Sequence, residues 1–332
     1  MRAVVVEAFG GIESARIGTA PDPVPKRGEV LVRVHASPVN FVDQLVIGGK
    51  YQFLPKLPFV PGKGPAGVVA ALGEGVMRLK VGDRVLAMAE LGGYAELVTA
   101  DEGQCYRLPP SMSFAEGASM AVAYDTAWFA LKDRARHAPG ESVLVLGATG
   151  AVGIGAIQIA KAMGGYVIAG VSSPEKTQMV KEVGADAIVD LARTDLHDSL
   201  RSQVHELTDG KGADVILDPL GGDIFDAAIR ALAWRGRLVV IGFATGRIPT
   251  LKVNYVLLKN IEVTGLQVSD YRKRRPEQAE ECFRELFSWF EQGKLRAPPM
   301  RTYPLEKVQD ALREIQDRKV HGRVMLTQEH AG

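Results

Sequence analysis

The middle of the chain, from residue 142 to residue 265, alternates between two hydrophobic patterns. Short apolar runs predict strands buried on both faces, and longer stretches with apolar residues at helical spacing predict helices. The strands are expected at 143–146, 166–171, 187–189, 214–218, 238–242 and 261–265, and the helices at 154–163, 176–182, 196–207 and 224–232. This alternation predicts a right-handed, doubly wound parallel sheet in an α/β fold.

The two ends of the chain have a different pattern. Strand-like segments at 1–8, 29–36, 66–72, 84–88 and 95–98 are separated by glycine and proline, and a helix is expected over 114–132. Short strands with frequent breakers predict a compact, β-barrel-like domain. After residue 265 the pattern predicts a helix at 276–291, a strand at 300–303, a helix at 305–316 and a strand at 323–326. We expect this short tail to rejoin the N-terminal unit.

Composition narrows the class of protein. The chain has 332 residues, 46% of them apolar and 24% charged, as in ordinary globular proteins of one large or two average domains. Its net charge of +1 indicates neither a nucleic-acid nor a membrane-surface partner. Two distant cysteines exclude a cysteine-built structural zinc site and favour a reducing compartment. Without a signal peptide pattern or an apolar run of membrane length, we expect a cytoplasmic protein. The basic run 272–275 is expected to be a solvated loop, with contact to an anionic substrate tail, such as the phosphates of an acyl-CoA, as the alternative.

A glycine-rich turn joins the first strand of the middle region to its first helix. Glycines at its start let the backbone turn sharply and approach a pyrophosphate, and a third lets the helix pack tightly on the strand. The helix N-terminus then presents unpaired N–H groups to the phosphates. The sequence therefore predicts dinucleotide binding by Gly147, Ala148, Thr149, Gly150, Ala151, Val152 and Gly153.

The end of the second strand indicates which dinucleotide binds. NAD sites usually place a carboxylate at this strand end, to hold the ribose 2′-hydroxyl. Here it carries Ser172 and Ser173, with Lys176 shortly after. Hydroxyls and a cation suit a 2′-phosphate, so NADPH is the predicted cofactor. Glu175 is expected to face solvent in the first turn of a helix.

Two later strand ends carry further candidates. Ligands of such sheets bind at the carboxyl ends of the strands, so Gly242 and Phe243 are expected to contact the nicotinamide. Asp218 also ends a strand, but we expect it to have a structural role in its turn.

A series of motifs runs along the chain in the order of a known family, at 40–43, 49–51, 58–62, 81–85, 92–96, 123–126, 147–153, 184–186, 218–222, 236–238 and 322–324. Through these motifs the chain resembles the zinc-free NADPH:quinone oxidoreductase branch of the medium-chain dehydrogenase/reductase superfamily. The segments 232–242 and 257–265 are the most similar to this branch.

The resemblance implies a GroES-like, β-barrel-type catalytic domain at 1–122, completed by 266–332, and a Rossmann NADPH-binding domain at 123–265. It implies a homodimer that reduces quinones or activated carbon–carbon double bonds. Asn40 and Tyr51 would line the position of the substrate oxygen, Thr126 would lie near the nicotinamide ribose, and Arg318 near the adenosine phosphate. Tyr51 is either the proton donor or an aromatic lid. Asn40 is equally interpretable as a loop-capping residue.

The same resemblance predicts that no metal is bound. Zinc-dependent relatives place a cysteine near the 40–43 loop, a histidine–glutamate pair after residue 62 and a cysteine-rich lobe around 90–110. Here the loop lacks cysteine, Lys63 and Gly64 follow residue 62, and Cys105 stands alone in the lobe region. Two other departures are Lys63, where relatives often have glutamate, and Leu191, where some have a phosphate-binding tyrosine that Arg193 would replace. Lys63 is expected either in solvent or against a substrate carboxylate.

Three functions follow from these features. The first is hydride transfer from NADPH to a quinone or an α,β-unsaturated carbonyl. The alternatives are an NADPH-binding sensor or scaffold with little turnover, and an enoyl- or acryloyl-CoA-type reductase.

Overall fold

The computed structural model describes residues 1–317, 320 and 322–328. The strands are, in chain order, β1 (Arg2–Val6), β2 (Ala15–Thr19), β3 (Glu29–Val39), β4 (Ala66–Leu72), β5 (Arg84–Ala87), β6 (Leu97–Asp101), β7 (Cys105–Arg107), β8 (Ser142–Val145), β9 (Tyr166–Val171), β10 (Ala187–Asp190), β11 (Ala213–Asp218), β12 (Leu232–Val240), β13 (Glu262–Gly265), β14 (Met300–Pro304) and β15 (Arg323–Thr327).

The α-helices are α1 (Phe41–Ile47), α2 (Phe114–Met120), α3 (Ala123–Phe129), α4 (Ala151–Ala162), α5 (Thr177–Val183), α6 (Leu196–Glu206), α7 (Gly222–Ala231), α8 (Asn254–Lys259), α9 (Val268–Arg274), α10 (Pro276–Glu291) and α11 (Val308–Gln316). Within the described ranges, no helix combines the length and the apolar content needed to cross a membrane.

The chain divides into two compact units. The first unit comprises Met1–Val122, Ser269–Glu291 and the chain from Arg296 onward, and the second comprises Ala123–Val268 with Gln292–Leu295.

The second unit contains a six-stranded sheet in the order β10-β9-β8-β11-β12-β13, and all neighbouring strands are parallel. All four residues of β8 are buried, because helices cover both faces of a parallel sheet. The doubly wound parallel sheet predicted from the hydrophobic pattern is therefore confirmed. Its strand order reverses between β8 and β11, and in such sheets ligands bind at this switch point.

The first unit contains a seven-stranded sheet and a separate β1–β2 pair. β3 is its longest strand and pairs with β4, β6 and β15, all antiparallel. β15 lies between β3 and β14, and α11 packs its apolar residues Val308, Ala311 and Leu312 into the same core as Val4 and Val6. The C-terminal tail thus contributes strands and core residues to this unit.

Two predicted elements differ from the structure. The expected helix over 114–132 is interrupted after α2, because Ala121 is extended and Val122 has a φ of 65°, which no α-helix accommodates. β12 begins at Leu232 rather than at residue 238. The first half of β12 contains the exposed Trp234 and Arg235, which interrupt the apolar run expected of a buried strand. Arg235 also has a φ of 61°, and the register against β11 shifts there.

Candidate functional site

The turn between β8 and α4 depends on two glycines. Gly147 has a φ of 61°, a left-handed conformation that favours glycine. A Cβ at Gly153 would lie 2.4 Å from the Gly147 carbonyl oxygen and 2.7 Å from Ala148 backbone atoms. Residue 153 must therefore be glycine for the helix to approach the turn this closely.

The N-terminus of α4 presents free donors at the same place. The first intrahelical bond joins the Ile154 N–H to the Gly150 carbonyl oxygen at 2.9 Å, so the N–H groups of residues 151–153 point out of the helix end. Thr149, Ala151 and Val152 are half-buried and Gly150 is exposed, whereas Ala148 is buried. This arrangement can accept an anion on the open side of the turn.

The second strand of the sheet ends beside this turn. β8 and β9 are parallel neighbours, and the Ala148 N–H bonds to the Gly170 carbonyl oxygen at 3.3 Å. Beyond β9, Ser172 is exposed and Ser173 and Lys176 are half-buried. Two hydroxyls and an ammonium group therefore lie at the sheet edge that carries the glycine turn.

The other positions considered near the adenosine phosphate are Glu175, Leu191, Arg193 and Arg318. Glu175 is exposed, as expected. Leu191 is buried against the core and donates its N–H to the Val171 carbonyl oxygen at 2.7 Å. Arg193 is exposed, with its Nε 4.0 Å from Asp190. Arg318 lies outside the described residues.

The ends of β11 and β12 complete this edge of the sheet. Asp218 Oδ1 accepts hydrogen bonds from the Leu220 and Gly221 N–H groups, both at 2.9 Å. Burial raises the pKa of Asp218, against the opposing effect of these two bonds. This geometry agrees with the structural role expected for Asp218.

After β12, Gly242 is half-buried and Phe243 is 40% exposed. A Cβ at Gly221 would lie 3.0 Å from Phe243 Cδ1, so the ring rests on the Gly221 backbone. Thr126, on α3, is 6% exposed.

In the first unit, the amide nitrogen and the amide oxygen of the Asn40 side chain are both hydrogen-bonded within the protein. It precedes α1, and its Nδ2 donates to Asp43 Oδ2 at 3.1 Å. Its Oδ1 accepts from Arg323 Nη2 at 3.1 Å, and its backbone N–H bonds to Asp43 Oδ2 at 2.9 Å. Asn40 is 5% exposed. These contacts favour the loop-capping interpretation over a donor aimed at substrate.

The partners of Asn40 form a buried polar network that was not predicted from the sequence. The Tyr94 hydroxyl donates to Asp43 Oδ2 at 2.8 Å, and Asp43, Tyr94 and Arg323 are at most 4% exposed. Burial raises the pKa of Asp43, against hydrogen bonds from Asn40 and Tyr94 and the Lys63 charge. Burial, followed by the Asp43 charge, raises the pKa of Tyr94. The only available sequence signal was the Asn-x-x-Asp spacing of a helix cap.

Lys63 is buried, which corrects the expectation of a lysine in solvent. It is 7% exposed, its ammonium pairs with Glu90, and it lies 5.6 Å from the centroid of the Tyr51 ring. The Asn40 Nδ2 is 3.5 Å from the Lys63 carbonyl oxygen. The structure therefore brings Asn40, Lys63 and Tyr51 together.

The basic run 272–275 is largely helical rather than a loop, and one of its four residues is buried instead of solvated. Arg272 belongs to α9, is 5% exposed and pairs with Glu90 at 2.9 Å. Burial alone would raise the pKa of Glu90, but the charges of Lys63 and Arg272 outweigh it and lower that pKa. Arg274 and Arg275 are exposed.

Residues 1–317, 320 and 322–328 contain no group of three or more His, Cys, Asp and Glu side chains that could hold a metal ion.

Comparison with known proteins yields matches over nearly the whole chain. The model of the alcohol dehydrogenase GroES-like domain matches residues 26–110, and that of the zinc-binding dehydrogenase family matches residues 151–290. The quinone oxidoreductase-like protein 2 homolog of Nematostella vectensis is 38% identical over 300 residues, which span 90% of this chain and 81% of that protein.

Two solved structures are similar in fold and sequence. The quinone oxidoreductase of Pseudomonas syringae pv. Tomato DC3000 has a TM-score of 0.91 and 32% identity, with 98% of this chain and 99% of that chain covered. The Escherichia coli quinone oxidoreductase, complexed with NADPH, has a TM-score of 0.91 and 27% identity, with 99% of this chain and 100% of that chain covered.

These matches confirm the predicted fold class, a parallel Rossmann-type sheet with a GroES-like domain. They also identify the chain as an oxidoreductase. The chain belongs to the medium-chain dehydrogenase/reductase superfamily, in its quinone oxidoreductase branch.

Proposed function

We propose that the protein is a zinc-independent, NADPH-dependent reductase that transfers a hydride to a quinone or to the activated double bond of an α,β-unsaturated carbonyl. The observation that carries this proposal is the glycine turn at the switch point of the parallel sheet, with Ser172, Ser173 and Lys176 at the neighbouring strand end. A similar protein of known structure, the Escherichia coli quinone oxidoreductase, is complexed with NADPH.

The residues of the second unit fit this cofactor. The open side of the turn has room for a pyrophosphate, because a Cβ at Gly150 would meet only the Gly147 carbonyl oxygen, at 3.4 Å. The N–H groups of residues 151–153 would bind the pyrophosphate, and Ser172, Ser173 and Lys176 the 2′-phosphate. Thr126, Gly242 and Phe243 would contact the nicotinamide end. The nicotinamide supplies the hydride.

On the acceptor side, Tyr51 is the candidate acid and Asn40 shapes its surroundings. The half-buried Tyr51 ring lies below the Lys63 ammonium, so its hydroxyl would act beside a fixed positive charge. Asn40 orders the loop through Asp43 and Arg323. Zinc independence is supported by Lys63, since a buried ammonium next to the Asn40 loop disfavours a second cation there.

The function is tested by measuring NADPH and NADH oxidation with a panel of quinones, enones and enoyl-CoA thioesters. We expect turnover with quinones or enones and a preference for NADPH. Tight NADPH binding without turnover on any acceptor would favour the sensor alternative. Turnover confined to the thioesters would favour the enoyl-CoA reductase alternative, and stoichiometric zinc in the active protein would contradict zinc independence.

Tyr51→Phe is expected to lower kcat roughly 100-fold with little change in KM, because a positioned proton donor contributes about 100-fold or more. Steady-state kinetics with one quinone and one enone checks this. Tyr166→Phe, at an exposed tyrosine of the second unit, is the matched control. Unchanged kcat in Tyr51→Phe would assign the ring to the lid role.

We further propose a homodimer. Large apolar side chains are exposed near the edge strand β13, with Trp234 69%, Leu257 77% and Leu258 73% exposed. A second copy that covers these side chains would remove them from water. Leu257→Asp is expected to convert a dimer to a monomer in light-scattering measurements, and Leu72→Asp, at a 40% exposed leucine of the first unit, is the control. A monomeric wild-type protein would contradict the proposal.

A further inference from the structure

The loops that follow β11 and β12 are hydrogen-bonded to each other along their length. Residues 219–222 form the β11 loop and residues 241–247 the β12 loop. Most of the bonds run from N–H groups of the β12 loop to carbonyl oxygens at the end of β11 and in the β11 loop, and one runs the other way. They join Ile241 and Gly242 to Asp218 at 2.8 and 3.3 Å, Ala244 to Pro219 at 3.1 Å, Thr245 to Leu220 at 3.0 Å, and Gly222 to Arg247 at 3.0 Å. A displacement of one loop would therefore break these bonds or move the other loop with it.

The carboxylate of Asp218 holds the β11 loop. Asp218 is the last residue of β11 and is fully buried. Its Oδ1 accepts hydrogen bonds from the Leu220 and Gly221 N–H groups, both at 2.9 Å, whereas its Oδ2 has no hydrogen-bond partner among the described residues. Gly221 has a φ of 66°, a left-handed conformation that glycine adopts at little cost. One carboxylate oxygen thus fixes two successive N–H groups of this turn.

The β11 loop contacts both the glycine turn before α4 and the Phe243 ring. A Cβ at Gly147 would lie 3.1 Å from Leu220 Cδ2, so the Leu220 side chain packs against the glycine turn. A Cβ at Gly221 would lie 3.0 Å from Phe243 Cδ1, so the ring lies directly on the Gly221 backbone. The position of this ring relative to the glycine turn therefore depends on the conformation of the β11 loop.

We propose that Asp218 is a positioning residue for the nicotinamide of the bound cofactor. Its Oδ1 fixes the Gly221 N–H group, the Gly221 backbone supports the Phe243 ring, and that ring forms one wall of the nicotinamide position. Asp218 acts through these neighbours, because it has no exposed surface with which to contact the cofactor itself. This inference rests on the proposed NADPH-dependent function and adds to it a residue that takes no direct part in the reaction.

The test compares two ligands that differ in the nicotinamide half. Adenosine 2′,5′-bisphosphate carries the adenosine and the 2′-phosphate of NADPH but lacks the nicotinamide half, so the ratio of its Kd to the Kd of NADPH measures what that half contributes. Calorimetric titration of the full chain gives both values. In Asp218→Ala we expect the Kd of NADPH to rise about 10-fold, since two hydrogen bonds that hold the support of the ring are lost. The Kd of the bisphosphate is expected to stay the same.

Asp214→Ala is the matched control, because Asp214 also lies on β11 and also accepts two hydrogen bonds. These bonds are at the other end of the strand, where Asp214 Oδ2 accepts the Ser142 N–H and hydroxyl at 2.8 and 2.7 Å. A purely structural role would lower the free energy of unfolding in both alanine variants without changing the ratio of the two Kd values. We expect this outcome for Asp214→Ala alone.

Asp218→Asn is expected to restore the wild-type ratio. Its amide oxygen can accept the same two N–H groups, and its nitrogen would replace an Oδ2 that has no partner among the described residues. Burial raises the pKa of Asp218, so the site already favours a neutral side chain.

Gly221→Ala displaces the ring while Asp218 stays intact. The new Cβ would lie 3.0 Å from Phe243 Cδ1 and 3.2 Å from the Arg247 carbonyl oxygen. This variant is expected to raise the Kd of NADPH several-fold and to leave that of the bisphosphate unchanged. It decides the question even if Asp218→Ala does not fold, and circular dichroism establishes which variants are folded.

Several results would overturn the proposal. They are an equal loss of affinity for both ligands in Asp218→Ala, the same change of ratio in Asp214→Ala, an Asp218→Asn variant that behaves like Asp218→Ala, and an unchanged ratio in folded Gly221→Ala. Equal wild-type affinity for the two ligands would also overturn it, although the cofactor site would then stand. If wild type bound neither ligand, the proposed cofactor site would fail and this inference with it. Binding of NADPH without its oxidation would contradict the reductase proposal, while the ratio would still decide the role of Asp218.

Discussion

Ser172→Asp is expected to weaken NADPH binding about 100-fold and to change NADH binding by no more than a few-fold. The exposed hydroxyl lies at the end of β9, where a carboxylate would repel the 2′-phosphate but would accept hydrogen bonds from an unphosphorylated ribose. Repulsion between charges about 4 Å apart near a protein surface is worth up to about 4 kcal/mol, and solvent exposure reduces it to roughly 3 kcal/mol. Fluorescence titration with both cofactors measures the change.

Ser202→Asp is the matched control for Ser172→Asp. Ser202 is also exposed and belongs to the same unit, but it lies on α6, and its hydroxyl donates to the Asp198 carbonyl oxygen at 3.2 Å. Its substitution is expected to leave both affinities unchanged. Equal NADPH affinity in Ser172→Asp and Ser202→Asp would show that the 2′-phosphate binds elsewhere, and would overturn the assignment of Ser172, Ser173 and Lys176.

Gly153→Val is expected to abolish measurable cofactor binding and to lower the free energy of unfolding by roughly 3 kcal/mol. The new Cβ would lie 2.4 Å from the Gly147 carbonyl oxygen and 2.7 Å from the Ala148 Cα. Both are backbone atoms that cannot rotate away, so α4 must move off β8 and the turn must open. Urea unfolding and NADPH titration measure the two effects.

Gly150→Ala tests whether glycine is needed at this position for NADPH binding rather than for folding. Gly150 has a φ of −78°, which alanine adopts, and its Cβ would meet only the Gly147 carbonyl oxygen at 3.4 Å. The variant is expected to unfold like wild type, yet to bind NADPH roughly 10-fold more weakly, because its methyl group would lie on the pyrophosphate side. Wild-type NADPH affinity in Gly153→Val would contradict the phosphate site assigned to this turn.

The parallel sheet was predictable because its signal is local. Buried strands such as β8 and β9 are short apolar runs, and the helices between them repeat apolar residues at helical spacing, so the pattern alone indicates the order of elements. Strand boundaries were less predictable where the backbone is irregular. Val122 and Arg235 have positive φ values, which are uncommon for both residue types, so the residue types did not indicate this conformation.

Prediction from sequence failed for two charged side chains, Lys63 and Arg272. Lys63 and Arg272 belong to residue types that are usually exposed, so the local sequence favoured solvent for both. They are buried because Glu90, distant from each along the chain, pairs with the two of them. In the same way, the side-chain oxygen of Asn40 accepts a hydrogen bond from Arg323, because β15 pairs with β3 and brings the two residues together. Only the packing of distant segments creates these pairs.

By itself, the sequence determined the doubly wound sheet, the glycine turn before α4 and the membership of the quinone oxidoreductase branch. The sheet and the turn depend on periodicity and on residue types at fixed local spacing, and the branch was recognised by the resemblance of motifs along the chain to a known family. The tertiary structure alone decided which polar groups are bonded to each other. That property depends on contacts between segments far apart in the chain, such as the hydrogen bond from Arg323 to Asn40.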